Sequence, residues 1–447
     1  MVTNNLRILI VTENASLQFG GEASLPIHYF RLLRQRGIET WLIVHERTRD
    51  ELKSLFPEDF DRIYFLPDTL WHRLLWNLGK KLPQRLANFS FGLIMRWLNQ
   101  VIQRRLARQI VQKQKINLIH QPIPVSPKEP SLIFGLDVPV VIGPMNGGMT
   151  FPSGFRNREN KLEAMGVSFG RWLANFMNIL IPGKRQATTL LVANARTQAA
   201  LPKCVQNNKI VELVENGVDL AIWQDKLAFK PNLVAKDVTN FVYVGRLVEL
   251  KAVDLLFIAL QRIIAQQPIT LDIIGDGPQK MALEAQAKEL GLVQSGAVNF
   301  RGWLSQLECA QQLQQADALI LPSLSECGGA VVLEAMAMAK PVIATNWGGP
   351  TDYLDSSCGI LVNPSSRDEF IDGLANAMVT LAEQPELRRS MGKVGRERIL
   401  KYFDWEKKID TILEIYQESI ERYGQEKQYN TSLPSDNFLT KGTVGIK

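Results

Sequence analysis

The sequence predicts an α/β protein built as two doubly wound domains, each a parallel sheet covered by helices. Three observations carry that expectation. The chain reads twice as strand, Gly-containing loop and helix, first from Arg7 and again from Asn240. Its strands are continuous apolar runs rather than alternations, the pattern of strands buried on both faces. The 447 residues are enough for two or three domains.

Taken in order, Arg7-Ile8-Leu9-Ile10-Val11 is the first strand, and Phe19-Gly20-Gly21-Glu22 the loop that follows it. Leu25, Tyr29, Leu32 and Leu33 then recur at helical spacing, Gly37 breaks the helix, and a strand runs from Thr40 to Val44. The second unit opens on Asn240–Val244 and the turn Gly245-Arg246. Lys251, a helix with Leu255, Leu256 and Ile258, and the strand Ile269–Ile274 follow, closed by Gly275-Asp276-Gly277-Pro278. Ala318–Leu321 is a further buried strand, ended by Pro322-Ser323. The domain boundary falls between Asn216 and Thr239, where Glu215-Asn216-Gly217-Val218-Asp219 signals a turn and Lys226–Asp237 has no clear period. After Leu400 a last helix carries Ile409, Ile412, Leu413, Ile415 and Tyr416 as its apolar positions. The polar, Gly/Pro/Ser-spotted stretch beyond it reads as a disordered tail. The expected units are therefore residues 1–218, 219–400, a helix over 401–424 and a tail over 425–447.

The composition, 46% hydrophobic and 21% charged, is that of a soluble globular protein. None of the four cysteines forms a C-x-x-C pair or stands near a His at ligand spacing, so neither a metal site nor a disulfide frame is expected. The cytoplasm, free or on the inner face of the membrane, is the expected compartment. Met1-Val2-Thr3-Asn4-Asn5 lacks the basic and apolar regions of a signal peptide. No apolar run reaches the roughly 18 residues of a spanning helix.

The net charge of +6 is unevenly placed: residues 69–128 hold eleven Lys or Arg and no Asp or Glu. Within residues 69–115, Leu70, Trp71, Leu74, Leu75, Trp76 and Leu78 stand among Arg73, Lys80 and Lys81. A basic helix with Trp on its apolar face lies in a membrane interface, where anionic lipid adds roughly 1 kcal/mol per nearby Lys or Arg. Peripheral contact with an anionic membrane is expected for Thr69–Phe91, assisted by Trp172–Ile181, which is too short to span. Trp97–Ile110 reads instead as a sheet-covering helix with a solvated basic face. No nucleic-acid partner is expected, because these Lys and Arg are not interleaved with stacking aromatics on a recognisable module.

The motif that carries most chemistry is Glu326-Cys327-Gly328-Gly329-Ala330-Val331-Val332-Leu333-Glu334. Its glycines leave backbone N–H groups bare at a helix N-terminus, an anion site. Two carboxylates beside such a cradle do not hold the phosphate, since like charges repel. They grip hydroxyls on either side of it, as a sugar and a ribose would offer. Alone, the spacing is equally a solvated loop acid and an exposed helix acid.

With Asn216-Gly217-Val218-Asp219, Val244-Gly245-Arg246-Leu247, Lys251, Gly275-Asp276-Gly277-Pro278, Phe300-Arg301-Gly302, the two glutamates, Pro341-Val342-Ile343-Ala344 and Gly348-Gly349 in order, the chain resembles a family 4 retaining glycosyltransferase. The resemblance runs from Arg7 to about Tyr423 and is strongest in the second half. It implies a GT-B fold with a C-terminal helix crossing back to the first domain. It also implies a nucleotide-diphosphate-sugar co-substrate on the second domain, an acceptor on the first, and chemistry in the cleft without metal or other cofactor. Arg246 and Lys251 would stabilise charge on the leaving diphosphate; taken alone they are a solvated pair. The amides of Gly328, Gly329 and Ala330 would hold the phosphates or the transferred sugar, Glu326 the sugar hydroxyls and Glu334 the ribose. Gly20 and Gly21 would let backbone approach the diphosphate, against the alternative of a plain strand-to-helix turn. Gly302 and its loop would frame the base, with Trp303 either stacking on it or lying in the core. Cys327 reads as a small contact rather than a nucleophile, and His28 as structural. The chain departs from the pattern of that family at Val140–Gly148, where many members have a His that meets the donor sugar. Asn146 stands there instead and would hydrogen-bond a donor-sugar hydroxyl, but cannot act as a base.

The expected activity is thus transfer of a sugar to a glycan or lipid-linked acceptor in polysaccharide or glycolipid synthesis. The leaving phosphate itself would take the acceptor proton. An epimerase or phosphorylase of the same fold, or a non-catalytic sugar-nucleotide binder at the membrane, are the alternatives.

Overall fold

A computed structural model of the chain describes residues 5–79, 84–158, 161–205, 209–223 and 238–432. The first parallel sheet contains β1 (Arg7–Val11), β2 (Glu39–His45), β3 (Ile63–Leu66), β4 (Leu118–Gln121), β5 (Val140–Met145), β6 (Thr189–Val192) and β7 (Lys209–Glu212). Their spatial order is β3-β2-β1-β4-β5-β6-β7. The second contains β8 (Thr239–Val244), β9 (Ile269–Ile274), β10 (Val298–Gly302), β11 (Ala318–Leu321), β12 (Val342–Thr345) and β13 (Gly359–Val362), ordered β10-β9-β8-β11-β12-β13. In each sheet the order reverses once, placing β1 beside β4 and β8 beside β11. Helices leave such a switch point on opposite faces, and a crevice opens at the carboxyl ends of the strands. Both crevices belong to the cleft.

Burial explains the unbroken apolar runs. Along β1, Ile8 and Ile10 enter one core while Leu9 and Val11 enter another on the opposite face, so every position is apolar. The second domain has one core that runs from Phe241 on β8 to Phe403.

The chain returns to the first domain at its end. The helix Trp405–Ser432 buries Trp405, Ile409, Ile412, Ile415 and Tyr416 in the first domain's core. At the crossing, Val218 N donates to Phe403 O at 2.8 Å and Trp405 N to Val218 O at 3.1 Å, so the two inter-domain connections lie side by side. The expected tail from residue 425 is corrected over its first part, because the helix continues to Ser432. Gln425-Glu426-Lys427-Gln428 has no apolar period but consists of good helix formers that extend a helix already anchored. Residues 433–447 lie outside the described residues. No helix among the described residues is long and apolar enough to cross a membrane.

Candidate active site

The second switch point supplies the charged groups. At the end of β8 the buried Tyr243 donates its hydroxyl to Arg246 O at 3.0 Å, fixing the turn from which the Arg246 side chain stands exposed. Lys251 ends a single 3-10 turn, Glu249–Lys251, and the left-handed Ala252 (φ 50°) swings the chain into the helix Val253–Ile263. Leu324 N donates to Leu250 O at 2.9 Å, lashing that turn to the loop after β11. Lys251 Nζ and the Glu326 carboxylate are thereby brought into direct contact. Their side chains are only 18% and 14% exposed, so the pair is far less screened than a surface ion pair.

The Glu326 loop is fixed from both sides. Gly349 N, beyond β12, donates to Glu326 O at 2.7 Å. Gly329, at φ 80°, makes the left-handed turn that starts the helix Ala330–Ala337 and leaves its first amides without partners inside the helix. Glu334 lies in that helix, half-buried, and desolvation pushes its carboxyl up to about 7. Gly302 ends β10 at φ 73°, its carbonyl accepting from Gly275 N at 2.7 Å. Trp303 beside it is 70% exposed, which removes the core alternative: the left-handed turn at Gly302 carries the next side chain off the sheet.

On the first domain, Gly20 (φ 102°) caps the helix Gly21–Gln35, and a Cβ at either glycine would meet nothing within 4 Å. Asn146 follows β5 directly. Its Nδ2 donates to Cys327 O at 2.9 Å, and its side chain is near enough to the Glu215 carboxyl to oppose the rise in that group's pKa. The amide that stands in place of a His therefore joins the two domains under the Glu326 loop. Asn194 Nδ2 to Asp352 Oδ2 (2.7 Å) and Trp347 Nε1 to Thr150 O (2.8 Å) are further inter-domain bonds.

Neither His28 nor His120 is placed as a base. His28 stacks on Trp405, with centroids 4.7 Å apart, and burial holds it neutral at about 4. His120 lies between Tyr416 OH (2.7 Å) and Gly143 O (2.6 Å) and is likewise pushed down to about 4. The Cys327 thiol is pushed up to about 11 by burial and by Glu215 and Glu326, so it is protonated at neutral pH. Among the described residues, no three His, Cys, Asp or Glu side chains are grouped to hold a metal ion.

The residue that sequence reasoning missed is Glu215. It is 5% exposed, lies beneath Gly328, and has one carboxyl oxygen without a partner. Burial raises it to about 7, with Asn146 opposing and Glu22 and Glu326 adding to the rise. Its only sequence signal is its place before the Asn216-Gly217 turn. Because the folded state holds this proton over a range where the unfolded chain has lost it, stability falls as pH rises from about 4.5 to about 7. Lys408, pushed down to about 7 by burial beneath the carbonyls of residues 214–216, acts in the opposite sense and only above that pH. Glu215→Gln is expected to gain on the parent protein by roughly 1–3 kcal/mol between about pH 5 and pH 8 in paired melts. An unchanged gap would dismiss the buried proton.

Residues 224–398 match the family model described as "Glycosyl transferases group 1". The chain is 31% identical over 208 residues to a glycogen synthase of Mycobacterium tuberculosis, covering 46% of this chain and 48% of the relative. It is 32% identical over 231 residues to a D-inositol 3-phosphate glycosyltransferase of Kribbella flavida, covering 48% and 53%. The chain thus spans about half the length of the curated relatives it matches. Among solved structures it is similar to Anabaena Alr3699/HepE in complex with UDP, with TM-score 0.63, 17% identity, and 92% of this chain and 100% of that one covered. It is also similar to a glycosyltransferase from Rickettsia africae, with TM-score 0.64, 17% identity and coverage of 93% and 99%. These likenesses establish the fold: two Rossmann-like domains in the GT-B arrangement.

Proposed function

We propose that the chain is a retaining glycosyltransferase of family 4 type, moving a sugar from a nucleoside-diphosphate donor to a glycan or lipid-linked acceptor without a metal ion. The observation that carries this reading is the contact between Lys251 and Glu326 at the β8/β11 switch point, beside the bare amides of the helix Ala330–Ala337. That constellation offers a cation and amides for a diphosphate, and carboxylates for hydroxyls, within one crevice. Arg246 and Lys251 take the charge that develops on the leaving phosphate. Glu326 orients the transferred sugar, and Glu334 accepts from the ribose diol once it is ionised. Gly20 and Gly21 give the diphosphate unhindered backbone on the opposite wall, and Gly302 frames the base. Asn146 holds the Glu326 loop against the first domain through the Cys327 carbonyl.

His28 and His120 are packed in the core, His72 is tied to Asn99 and His45 lies buried beside Asp68, which supports a route in which the acceptor hydroxyl attacks from the leaving-group face. Its proton passes to the departing phosphate oxygen, the anomeric C–O bond to phosphate breaks, and the new glycosidic C–O bond forms on the same face. An epimerase would need an acid and a base beside the sugar, and those roles have no histidine to fill them. Alr3699/HepE was crystallised with UDP and with UDP-glucose, which places uridine donors first in the test.

A melting-point panel of UDP-, GDP-, ADP- and TDP-sugars is the direct experiment. The correct donor stabilises by about 2.7 kcal/mol at a hundredfold excess over Kd. NMR of the product is expected to show the donor's anomeric configuration retained; an inverted product sinks the mechanism, and stabilisation without turnover favours the non-catalytic binder.

A further inference from the structure

Two helices of the first domain expose an apolar stripe each. On the helix Leu70–Gly79 these are Leu70, Trp71, Leu74 and Leu78, 80%, 64%, 48% and 40% exposed. At 100° per residue they fall within one 100° arc. On the helix Lys161–Leu180 they are Trp172, Phe176, Ile179 and Leu180, 48–61% exposed and within an arc of the same width. Trp172 and Phe176 stack, with centroids 6.2 Å apart, so the second stripe is a preformed surface rather than loose side chains. Contiguous exposed apolar surface of this kind marks an interaction site.

The long helix Gln84–Lys113 ties the two together. His72 Nε2 and Asn99 Oδ1 are 2.8 Å apart and join it to the first stripe's helix. Residues 128–130 join it to the second: Glu129 pairs with Arg96 at 3.6 Å, and Pro130 O accepts from Gln100 Nε2 at 3.3 Å. On the other side of this segment, Lys128 Nζ donates to Asn175 Oδ1 at 2.9 Å and its carbonyl accepts from Asn178 Nδ2 at 2.8 Å. On the long helix's outer side a cavity of about 250 Å3 is lined by Val101, Arg104, Arg105, Arg108 and Leu132. Arg104 and Arg108 each spend one N–H on a backbone carbonyl, Phe134 O and Gly135 O. Their other N–H groups and Arg105, around an apolar rim, suit a phosphate whose other end is hydrocarbon. Arg171, one residue before the second stripe, donates to Met149 O at 3.0 Å, and Met149 lies against Gly348 beside the Glu326 loop. The surface therefore borders the mouth of the cleft.

We propose that this three-helix face docks on an anionic phospholipid bilayer, with the two stripes in the headgroup–acyl boundary and lipid phosphate in the arginine cavity. The charge of the segment selects the occupant: residues 69–128 carry eleven cations and no acid, which favours an anionic lipid surface over a second copy of the same basic face. The sequence had pointed to Thr69–Phe91. The structure divides the task between 70–79, the arginine row and 172–180, and places it beside the side of the cleft that a lipid-linked acceptor would use.

Flotation of the full chain with vesicles of phosphatidylcholine alone, and of phosphatidylcholine with phosphatidylglycerol, tests this. Binding is expected on the anionic vesicles, at least about tenfold above neutral ones, and weakened by added salt. Trp71→Glu/Leu74→Glu and Phe176→Glu/Ile179→Glu are each expected to reduce it about tenfold or more, and Arg105→Glu/Arg108→Glu to abolish the preference for anionic lipid. These side chains are exposed, and the melting curve of each variant reports that it folds. Equal partition to both vesicle types, or binding indifferent to both stripes, overturns the proposal. So does a dimer in light scattering that the same variants dissolve, or vesicle binding displaced by an oligonucleotide that still binds the stripe variants. The donor panel does not depend on any of these results, so failure here leaves the catalytic reading standing, and the reverse.

Discussion

Lys251→Ala is expected to lower sugar transfer by about a hundred- to a thousandfold, the usual effect of removing one preorganised group from a developing charge. The donor is the one that raises the melting point, and product formation under saturating donor is the readout. The ion pair with Glu326 makes the loss larger than that of a solvated cation, because a carboxylate only 14% exposed is left uncompensated. Glu326→Ala is expected to remove the proposed sugar contact and to free Lys251 to settle wrongly on the phosphate. The double variant is therefore expected to lose less than the product of the two single losses. Fully additive effects would mean that the contact between them has no part in turnover, and a loss under about threefold for Lys251→Ala would remove Lys251 from the mechanism.

The second large effect is steric. A Cβ at Gly349 would lie 2.2 Å from Gly328 O and 2.4 Å from Cys327 O. Both contacts are backbone, so no rotamer change relieves them. Gly349→Ala must push the Glu326 loop toward the first domain, where Asn146 and Glu215 already fill the space. We expect destabilisation of about 1–3 kcal/mol or more, the range of overpacking, and loss of the donor-induced melting shift. Gly424→Ala is the matched control. Nothing lies within 4 Å of its Cβ position in the final helix, and Ala there is expected to stabilise by about 0.5–1 kcal/mol. Equal melting points for the two variants would contradict the packing described here.

Much of this architecture was legible in the sequence because it is written locally. Strands such as Arg7–Val11, Ile269–Ile274 and Ala318–Leu321 are apolar runs bounded by glycine or proline turns, and the structure has strands with those limits. Lys251 and Glu326 follow strands at short intervals, so their meeting at a switch point follows from topology. What escaped was set by distant contacts. Glu215 looks like any turn acid until Gly328 and Asn146 close over it. Trp303 looks like core until the left-handed Gly302 turns it outward. Gln425–Ser432 has no apolar face, and continues as helix only because the preceding turns are anchored across the molecule.

That anchoring has a consequence for how the protein is made. The first domain's core includes Trp405, Ile409, Ile412, Ile415 and Tyr416, which pack against the helix Gly21–Gln35 and β5. A chain emerging from the ribosome therefore leaves the surface that these five side chains cover open until the entire second domain has been made. The usual order, in which the N-terminal domain folds first, is therefore incomplete here: the first domain's core gains its last helix only after the second domain has been made.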